Sequence, residues 1–454
     1  MLIIPESLKQ AIKAKLQILY GTKTEETFKE IEEVLKAFYA SLPKDLTQHV
    51  RNEELHKFHH EDIILNVYAN SIQGKQGTPL QVLRRFTERL VLGTINGIHI
   101  LPFFPWDTDR GFSVLNYYEV DERNGSWDDF TALNNVFDIL MVDCVVNHAS
   151  IDNPIVQKAL TGDPDYDNFV ITYKEGEKPD QNDLFKITRP RPTPVLTQYY
   201  VYVDKNKKLR ASFDKLSSEE ISKGVILKET GWVWTTFSRP DNPDGTVATK
   251  QVDFNFTNPK LFLEFVKILL FYISKGTRWI RLDAIPYLWK EIGTSCIHLP
   301  ETHLVIQILN DIFKILDFLR IVLVAEVNEA QEKVLLYLGK EGATEGDLVY
   351  LFTHFPLAVH AVLTGTAKYY MNWISSLKKT QGRLFISVLG THDGMGLKPV
   401  GDWLPLDEKE KLQSVLINRH GVLPNYSRLP GGQKIIYELC ATPWNLINET
   451  ESDE

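Results

Sequence analysis

The sequence has few of the features that mark secreted, membrane-spanning or nucleic-acid-binding proteins. It contains 3 cysteines in 454 residues, and their spacing fits neither a disulfide framework nor a zinc site. No apolar run reaches the roughly 18 residues that predict a membrane-crossing helix. The amino terminus lacks the basic region and apolar core of a secretory leader. These absences predict a cytoplasmic protein with no membrane partner.

Basic charge is also scarce relative to acidic charge. Lys and Arg number 50 against 59 Asp and Glu, which gives a net charge of −9, and no long basic cluster occurs. This balance argues against nucleic acid as a partner. The hydrophobic fraction of 43% is ordinary for a globular protein. The length allows two or three domains, or one large α/β barrel with insertions.

From residue 62 onward, short apolar runs alternate with helical patterns. Residues 1–60 have apolar residues at three-and-four spacing, which predicts a helical pair before this region. Seven runs predict buried strands, at 62–72, 97–106, 137–150, 278–289, 320–328, 347–355 and 383–393. Strands that alternate with helices indicate a parallel sheet. Polar residues gather at the strand ends and no glycine-rich phosphate loop follows the first strand. The α/β fold is therefore predicted to be a TIM (β/α)8-type barrel rather than an open doubly wound sheet.

The spacing between the third and fourth runs interrupts this rhythm. The intervening segment is rich in Pro, Asp, Asn and Tyr, and predicts an inserted lobe over residues 151–250, with short strands of its own, that forms a lid or substrate wall. The catalytic barrel is then expected to comprise residues 61–150 and 251–454. After the seventh run the sequence is predicted to be mostly loop. With no clear eighth strand, the barrel is expected to be truncated after the seventh strand, unless a second polypeptide completes it.

Charged residues follow several of the apolar runs. In "IRLDA", Arg281 and Asp283 are two positions apart on a strand and share a face, where the guanidinium favours the ionised carboxylate. A buried ion pair that braces the sheet would look the same. Other predicted strand ends carry Asp143, Asn147, His148, Glu326, His392 and Asp393. Several acidic strand ends at one barrel mouth favour a catalytic site, because glycosidic cleavage requires two carboxylates in different environments.

Aromatic residues lie beside these strand ends, in "LPFFPW" (101–106) and at Phe112, Tyr287 and Trp289. Such rings either stack on sugar rings or pack beneath the inserted lobe. The sequence leaves both interpretations open.

The segments "DCVVNH", "IRLDA", "AEVN" and "GTHD", in this order, resemble the four conserved regions of the α-amylase superfamily of glycoside hydrolases. Two longer segments, "DRGFSVLNYYEVDERNGSWDD" and "RLDAIPYLWKEIGTSCIHLPETH", are similar to its sucrose phosphorylase branch. Within that branch, "YLWKEIGTSCIHLPETH" and "YELCATPWNLIN" most resemble the glucosylglycerate phosphorylases. The resemblance runs from about residue 60 to the end of the sequence.

The resemblance implies a retaining glycoside phosphorylase without a metal or cofactor. By matching position, Asp283 is expected to be the nucleophile, Glu326 the general acid/base and Asp393 the carboxylate that stabilises the transition state. Arg281 is expected to orient Asp283. The residues expected to bind the glucosyl ring are Asp109, Phe112, His148 and His392.

The implied reaction proceeds by two inversions. Asp283 displaces the acceptor, and phosphate then attacks the glucosyl-enzyme to give α-glucose 1-phosphate. Arginine forks match phosphate oxygens, so Arg189 and Arg191 of the lobe are candidates for binding phosphate or the glycerate carboxylate. A solvated basic loop is the alternative interpretation of these arginines. The residues expected near the acceptor are Tyr287, Asn328, Tyr437 and Glu438.

The expected substrates are 2-O-α-D-glucosyl-D-glycerate and phosphate. Sucrose, or a glucoside of another small acceptor such as glycerol, remains an alternative substrate, because loop contacts determine which acceptor binds. Hydrolysis or glucosyl transfer would follow if water or an alcohol outcompeted phosphate. Members of this branch continue past "YELCATPWNLIN" with an eighth strand and a small β-rich domain. A fragment is therefore expected, and a non-catalytic or inactive amylase-like protein is the alternative from another class.

Overall fold

The computed structural model describes residues 2–44, 57–190, 194–238, 249–340, 343–377, 385–420, 422–428 and 434–448. The chain divides into two compact units, Met1–Leu323 and Val324–Glu454.

A seven-stranded sheet provides the framework of the fold, and its strands follow one another in chain order. The strands are Ile64–Val67, Gly97–Ile100, Ile139–Val145, Trp279–Asp283, Val322–Ala325, Leu348–Leu351 and Phe385–Ser387. Each lies within one of the seven predicted runs, so the prediction of these strands is confirmed. Ile139–Val145 and Trp279–Asp283 are buried at every position, as a parallel sheet covered on both faces requires. The boundary between the two units falls inside the strand Val322–Ala325.

An antiparallel sheet lies within the segment predicted as an inserted lobe. Its four strands, in spatial order, are Thr172–Tyr173, Ile226–Trp234, Leu196–Val203 and Leu209–Ser212. His148–Ser150 pairs antiparallel with Gln251–Asp253. The two ends of the segment 151–250 therefore lie side by side, next to this strand pair. We call this segment the 151–250 excursion.

Helices flank the strands of the first unit. They are Glu6–Tyr20, Thr24–Ser41, Pro79–Leu90, Trp127–Thr131, Pro154–Leu160, Gln181–Lys186, Ser218–Ser222, Pro259–Ser274 and Pro300–Ile315. The first two are the predicted amino-terminal pair, although part of the predicted segment, residues 45–56, lies outside the described residues. Tyr20 donates to the Phe256 carbonyl at 3.1 Å and Lys15 to Asp311 at 2.5 Å, which anchors the pair. None of the helices that the structure describes is long and apolar enough to cross a membrane.

The second unit contains more regular structure than the sequence predicts. Its helices are Gln331–Leu336, His354–Thr364, Lys368–Ser376, Leu406–His420 and Pro443–Ile447. A three-stranded antiparallel sheet has the order Met395–Gly396, Lys434–Cys440 and Leu423–Arg428. The prediction of mostly loop after the seventh strand is therefore wrong. The helix Leu406–His420 buries only Leu412 and Leu416, one turn apart, among the side chains described there, so its apolar stripe is narrow and its periodicity weak.

Candidate active site

The strand Trp279–Asp283 presents an ion pair at its carboxyl end. Arg281 Nη1 donates to Asp283 Oδ1 at 2.6 Å and also donates to Asp143 on the neighbouring strand. Asp283 is only 7% exposed. The prediction that Arg281 and Asp283 share a face is confirmed, and Arg281 holds two carboxylates at once.

His99 completes this network from a third strand. Its Nε2 lies 2.8 Å from Asp143 Oδ2, and both side chains are buried. The order of contacts is therefore His99, Asp143, Arg281 and Asp283. Sequence reasoning missed His99. The available signal was its position as the one polar residue in the strand "GIHI". A polar side chain in a fully buried strand needs a partner.

The backbone turns sharply after Asp283. Ala284 has φ 53° and ψ 30°, the left-handed conformation that a residue with a Cβ seldom adopts. A short 3₁₀ turn, Ile285–Tyr287, follows and places the Tyr287 ring edge-on to Phe237, with centroids 5.2 Å apart. The strand thus ends at Asp283.

Asp109 lies in a turn of three left-handed residues. Asp109, Arg110 and Gly111 have φ values of 57°, 51° and 105°. A Cβ at Gly111 would lie 2.6 Å from the Pro102 carbonyl oxygen, so glycine is required there. Buried Gln251 donates to Asp109 Oδ2 at 2.9 Å and fixes the carboxylate.

Two further predicted ring-binding residues have well-defined environments in the first unit. The Phe112 ring centroid lies 5.7 Å from the Arg281 guanidinium carbon. The His148 Nδ1 lies 3.2 Å from the amide nitrogen of Asn147, and the imidazole packs against Phe237 with centroids 4.8 Å apart. Phe112 therefore lies beside Arg281, and His148 lies beside Phe237, which also contacts Tyr287.

A buried polar cluster lies beside His148. Lys290 Nζ donates to Asn147 Oδ1 at 2.7 Å and forms an ion pair with Asp253 Oδ2 at 3.1 Å. Asp253 also accepts from the backbone N–H and the hydroxyl of Thr236, at 2.7 and 2.6 Å. Burial lowers the pKa of Lys290, and the adjacent Asp253 opposes that shift. The cluster links the loop after the Asp283 strand to both ends of the 151–250 excursion. Of its members, only Asn147 was singled out from the sequence.

The structure shows the environment of one predicted phosphate-binding arginine and of two predicted sugar-stacking aromatics. Arg189 Nη2 donates to the carbonyls of Thr235 and Thr236, both at 2.8 Å, so part of its fork holds the lobe backbone. Arg191 lies outside the described residues. In "LPFFPW", Phe103 and Phe104 are fully buried and stack on each other and on core aromatics. Of the two interpretations that the sequence left open, stacking on a sugar is therefore excluded for Phe103 and Phe104, because both rings belong to the core.

The second unit carries the remaining predicted carboxylates. Glu326 directly follows the strand Val322–Ala325 and is half-buried. His392 Nε2 lies 3.3 Å from Asp393 Oδ1, and the Asp393 side chain is 58% exposed. Lys398 forms an ion pair with Glu329, three residues after Glu326.

Asn328, Tyr437 and Glu438 also belong to the second unit. Glu438 is buried, and its Oε2 accepts from Asn425 Nδ2 at 2.8 Å. The Tyr437 carbonyl accepts from the Leu397 N–H at 2.8 Å. The predicted residues that the structure describes thus divide into a set in the first unit, which includes Asp283, and a set in the second unit, which follows Ala325. Among the residues that the structure describes, no group of three His, Cys, Asp or Glu could hold a metal ion.

Several known proteins are similar to this chain in sequence, in fold or in both. Residues 91–222 match the family described as the alpha amylase catalytic domain. The glucosylglycerate phosphorylase of Spirochaeta thermophila is 32% identical over 441 residues, which cover 96% of this chain and 67% of that protein. The glucosylglycerate phosphorylase of Allomeiothermus silvanus is 33% identical over 455 residues, 100% of this chain and 71% of that protein. The crystal structure of sucrose 6F-phosphate phosphorylase from Thermoanaerobacter thermosaccharolyticum has a TM-score of 0.67 at 22% identity, and covers 86% of this chain and 71% of that chain.

The parallel sheet and the matched segment define an α-amylase-type catalytic fold. The sequence identity to the two glucosylglycerate phosphorylases then narrows the assignment from this fold to one family. This chain belongs to the family of the glucosylglycerate phosphorylases, which are glycoside phosphorylases within the α-amylase family.

Proposed function

We propose that this chain is a retaining glycoside phosphorylase that cleaves 2-O-α-D-glucosyl-D-glycerate with phosphate to give α-D-glucose 1-phosphate and D-glycerate. The names of the two relatives support this substrate. The observation that carries the proposed chemistry is the Asp283 carboxylate, held 2.6 Å from Arg281 Nη1 at the end of a buried strand. A nucleophile needs a fixed, ionised oxygen, and this contact supplies both the charge and the orientation.

In the first half-reaction, an Asp283 oxygen attacks the anomeric carbon of the glucosyl group. The bond from that carbon to the acceptor oxygen breaks, and Glu326 donates its proton to the leaving oxygen. Asp393 stabilises the positive charge that develops on the glucosyl ring. The products of this step are free D-glycerate, ionised Glu326 and a glucosyl ester of Asp283.

In the second half-reaction, an oxygen of hydrogen phosphate attacks the same carbon from the opposite face. The ester to Asp283 breaks, and Glu326 takes up the proton of the hydrogen phosphate. Two inversions give net retention and regenerate both carboxyl groups. Because phosphate competes with water, excluding water from the ester is essential.

The other predicted residues act by binding. We assign the glucosyl ring to Asp109, Phe112, His148 and His392, phosphate to Arg189 and Arg191, and the acceptor to Tyr287, Asn328, Tyr437 and Glu438. Residues 151–250 act as a lid or substrate wall in this proposal. The pairing of His148–Ser150 with Gln251–Asp253 supports that role. It anchors the excursion beside two residues that we assign to the glucosyl ring: His148, which lies on one of the paired strands, and Asp109, which accepts a hydrogen bond from Gln251 on the other.

The test is an incubation of residues 1–454 with glucosylglycerate or sucrose, each with and without phosphate, followed by measurement of α-glucose 1-phosphate. The proposal expects phosphate-dependent product from glucosylglycerate and little from sucrose. Product from sucrose alone would move the assignment to sucrose phosphorylase. A glucose-release rate that is equal with and without phosphate would show a hydrolase. No turnover of either glucoside would contradict catalysis by this chain.

A further inference from the structure

Three neighbouring strands of the first unit bring four polar side chains into one buried series of contacts. His99 is in register with Met141, and Asp143 lies two residues further along, on the same face of its strand. Arg281 is the register partner of Asp143, and Asp283 lies two residues beyond Arg281. The four polar side chains therefore project from one face of the sheet, and the last of them is the proposed nucleophile.

Asp143 has two carboxylate oxygens that need hydrogen-bond donors away from solvent. Its side chain is fully buried, its Oδ1 accepts from Arg281 Nη1, and its Oδ2 lies 2.8 Å from His99 Nε2. A carboxylate in contact with a guanidinium is ionised, and an ionised carboxylate can only accept hydrogen bonds. His99 therefore carries a proton on Nε2 and donates it to Asp143.

Arg281 is shared between two carboxylates, and this sharing fixes the orientation of Asp283. Arg281 Nη1 donates to Asp283 Oδ1 at 2.6 Å and also donates to Asp143. A buried carboxylate oxygen that loses its donor costs free energy unless another donor moves towards it. If His99 were removed, the guanidinium of Arg281 would be a donor already in contact with Asp143. A turn of this guanidinium towards Asp143 Oδ2 would take it away from Asp283.

We propose that His99 is a positioning residue for the nucleophile. By donating to Asp143, it keeps the guanidinium of Arg281 on Asp283 and so holds the attacking oxygen in place. His99 acts through Asp143 and Arg281 and does not contact the substrate. This inference rests on the proposed function, which assigns the nucleophile but gives His99 no role.

The test compares two amide side chains at position 99. H99Q places its amide nitrogen about where the imidazole Nε2 lies, whereas the shorter side chain of H99N does not reach Asp143. The assay is exchange of labelled phosphate into α-glucose 1-phosphate, which forms and breaks the glucosyl ester of Asp283 and needs no acceptor.

The two variants are expected to differ in maximal rate and not in binding. H99N should lower the maximal exchange rate about 10²-fold, as for a small misplacement of a reacting group. The KM values for α-glucose 1-phosphate and phosphate should stay within about twofold of the parent values, because His99 binds neither. H99Q should keep the rate within about threefold of the parent rate, because it retains a donor to Asp143.

A double-variant cycle shows whether His99 acts through Asp143. D143N removes the charged acceptor of the His99 hydrogen bond. Adding H99N to D143N should therefore cost less than about threefold, against about 10²-fold in the parent, because residues in one network do not contribute independently. The control is I98V, which removes a buried methyl group from the opposite face of the same strand. Its exchange rate should stay within about twofold of the parent rate.

A spectroscopic measurement tests the hydrogen bond without relying on the activity of a variant. In ¹⁵N NMR of the protein labelled in its 12 histidines, the parent should show an imidazole N–H at Nε2 that is missing from H99Q. A proton on Nδ1 of His99 and none on Nε2 would overturn the inference, even if H99N does not fold.

The exchange assay distinguishes failure of this inference from failure of the proposed function. Three results overturn the positioning role and leave the proposed function standing: an H99N rate equal to that of the parent, a folded H99Q as slow as H99N, or the same cost of H99N with and without D143N. A parent enzyme that performs no exchange overturns the proposed function and this inference together.

Discussion

The carboxylates proposed for catalysis differ in exposure between the two units. In the first unit, Asp143 and Asp253 are fully buried and Asp283 is nearly so, and each is paired with Arg281 or Lys290. In the second unit, the Asp393 side chain is 58% exposed and Glu326 is half-buried. The first unit thus holds a locked set of paired charges, and the second unit holds an open set that includes Asp393. Charge is costly to disturb in the first set and cheap in the second.

The largest expected effect concerns the proposed nucleophile. D283N removes the attacking carboxylate and should lower kcat by at least about 10⁴-fold, as for other covalent nucleophiles. The measurement is phosphate-dependent formation of α-glucose 1-phosphate. N206D, at an exposed position in the same unit, is a suitable control. Substantial activity in D283N would contradict the proposed double displacement.

The buried cluster of the first unit should give the next largest effect. K290M leaves Asp253 without its cation in a fully buried place, and should lower the free energy of unfolding by about 3 to 5 kcal/mol. Urea unfolding followed by fluorescence measures the change. The counterpart in the second unit is D393N, which should shift stability by no more than about 0.5 kcal/mol because its side chain is exposed. Equal losses in both variants would remove the contrast between the units.

The smallest expected effect is on the thermal stability of the second unit, through the contact between His360 and Glu408. His360 Nε2 lies 2.8 Å from Glu408 Oε2, and this hydrogen bond lowers the pKa of Glu408 from its usual value. A carboxyl with a lowered folded-state pKa stabilises the fold above its unfolded value, and that contribution disappears as pH falls through the folded value. E408Q should therefore have a lower Tm than the parent at neutral pH, and the two should converge in acid.

Thermal unfolding measured from pH 7 down to pH 3 tests this expectation. E410Q changes an exposed residue of the same helix and serves as the control. A difference between E408Q and the parent that persists undiminished at pH 3 would assign the effect to packing rather than to titration.

Local sequence patterns were sufficient for much of the framework. Each of the seven apolar runs contains a strand, because a strand buried on both faces is apolar at nearly every position. The two-residue spacing of Arg281 and Asp283 correctly placed both on one face, since strand geometry alternates side chains. The helix Leu406–His420 escaped prediction because only a narrow stripe of it is buried.

The sequence by itself determined the order of the strands along the chain, the paired charges Arg281 and Asp283 on the fourth strand, and the motifs that resemble the family. Only the tertiary structure decided which distant groups meet. His99 and Asp143 are 44 residues apart, Lys290 and Asn147 are 143 apart, and Asn425 reaches Glu438 across a bulged hairpin. Periodicity reports the burial of one element at a time, whereas these contacts depend on how separate strands and loops are brought into register. Such pairings arise from long-range packing, which leaves no mark in a local pattern.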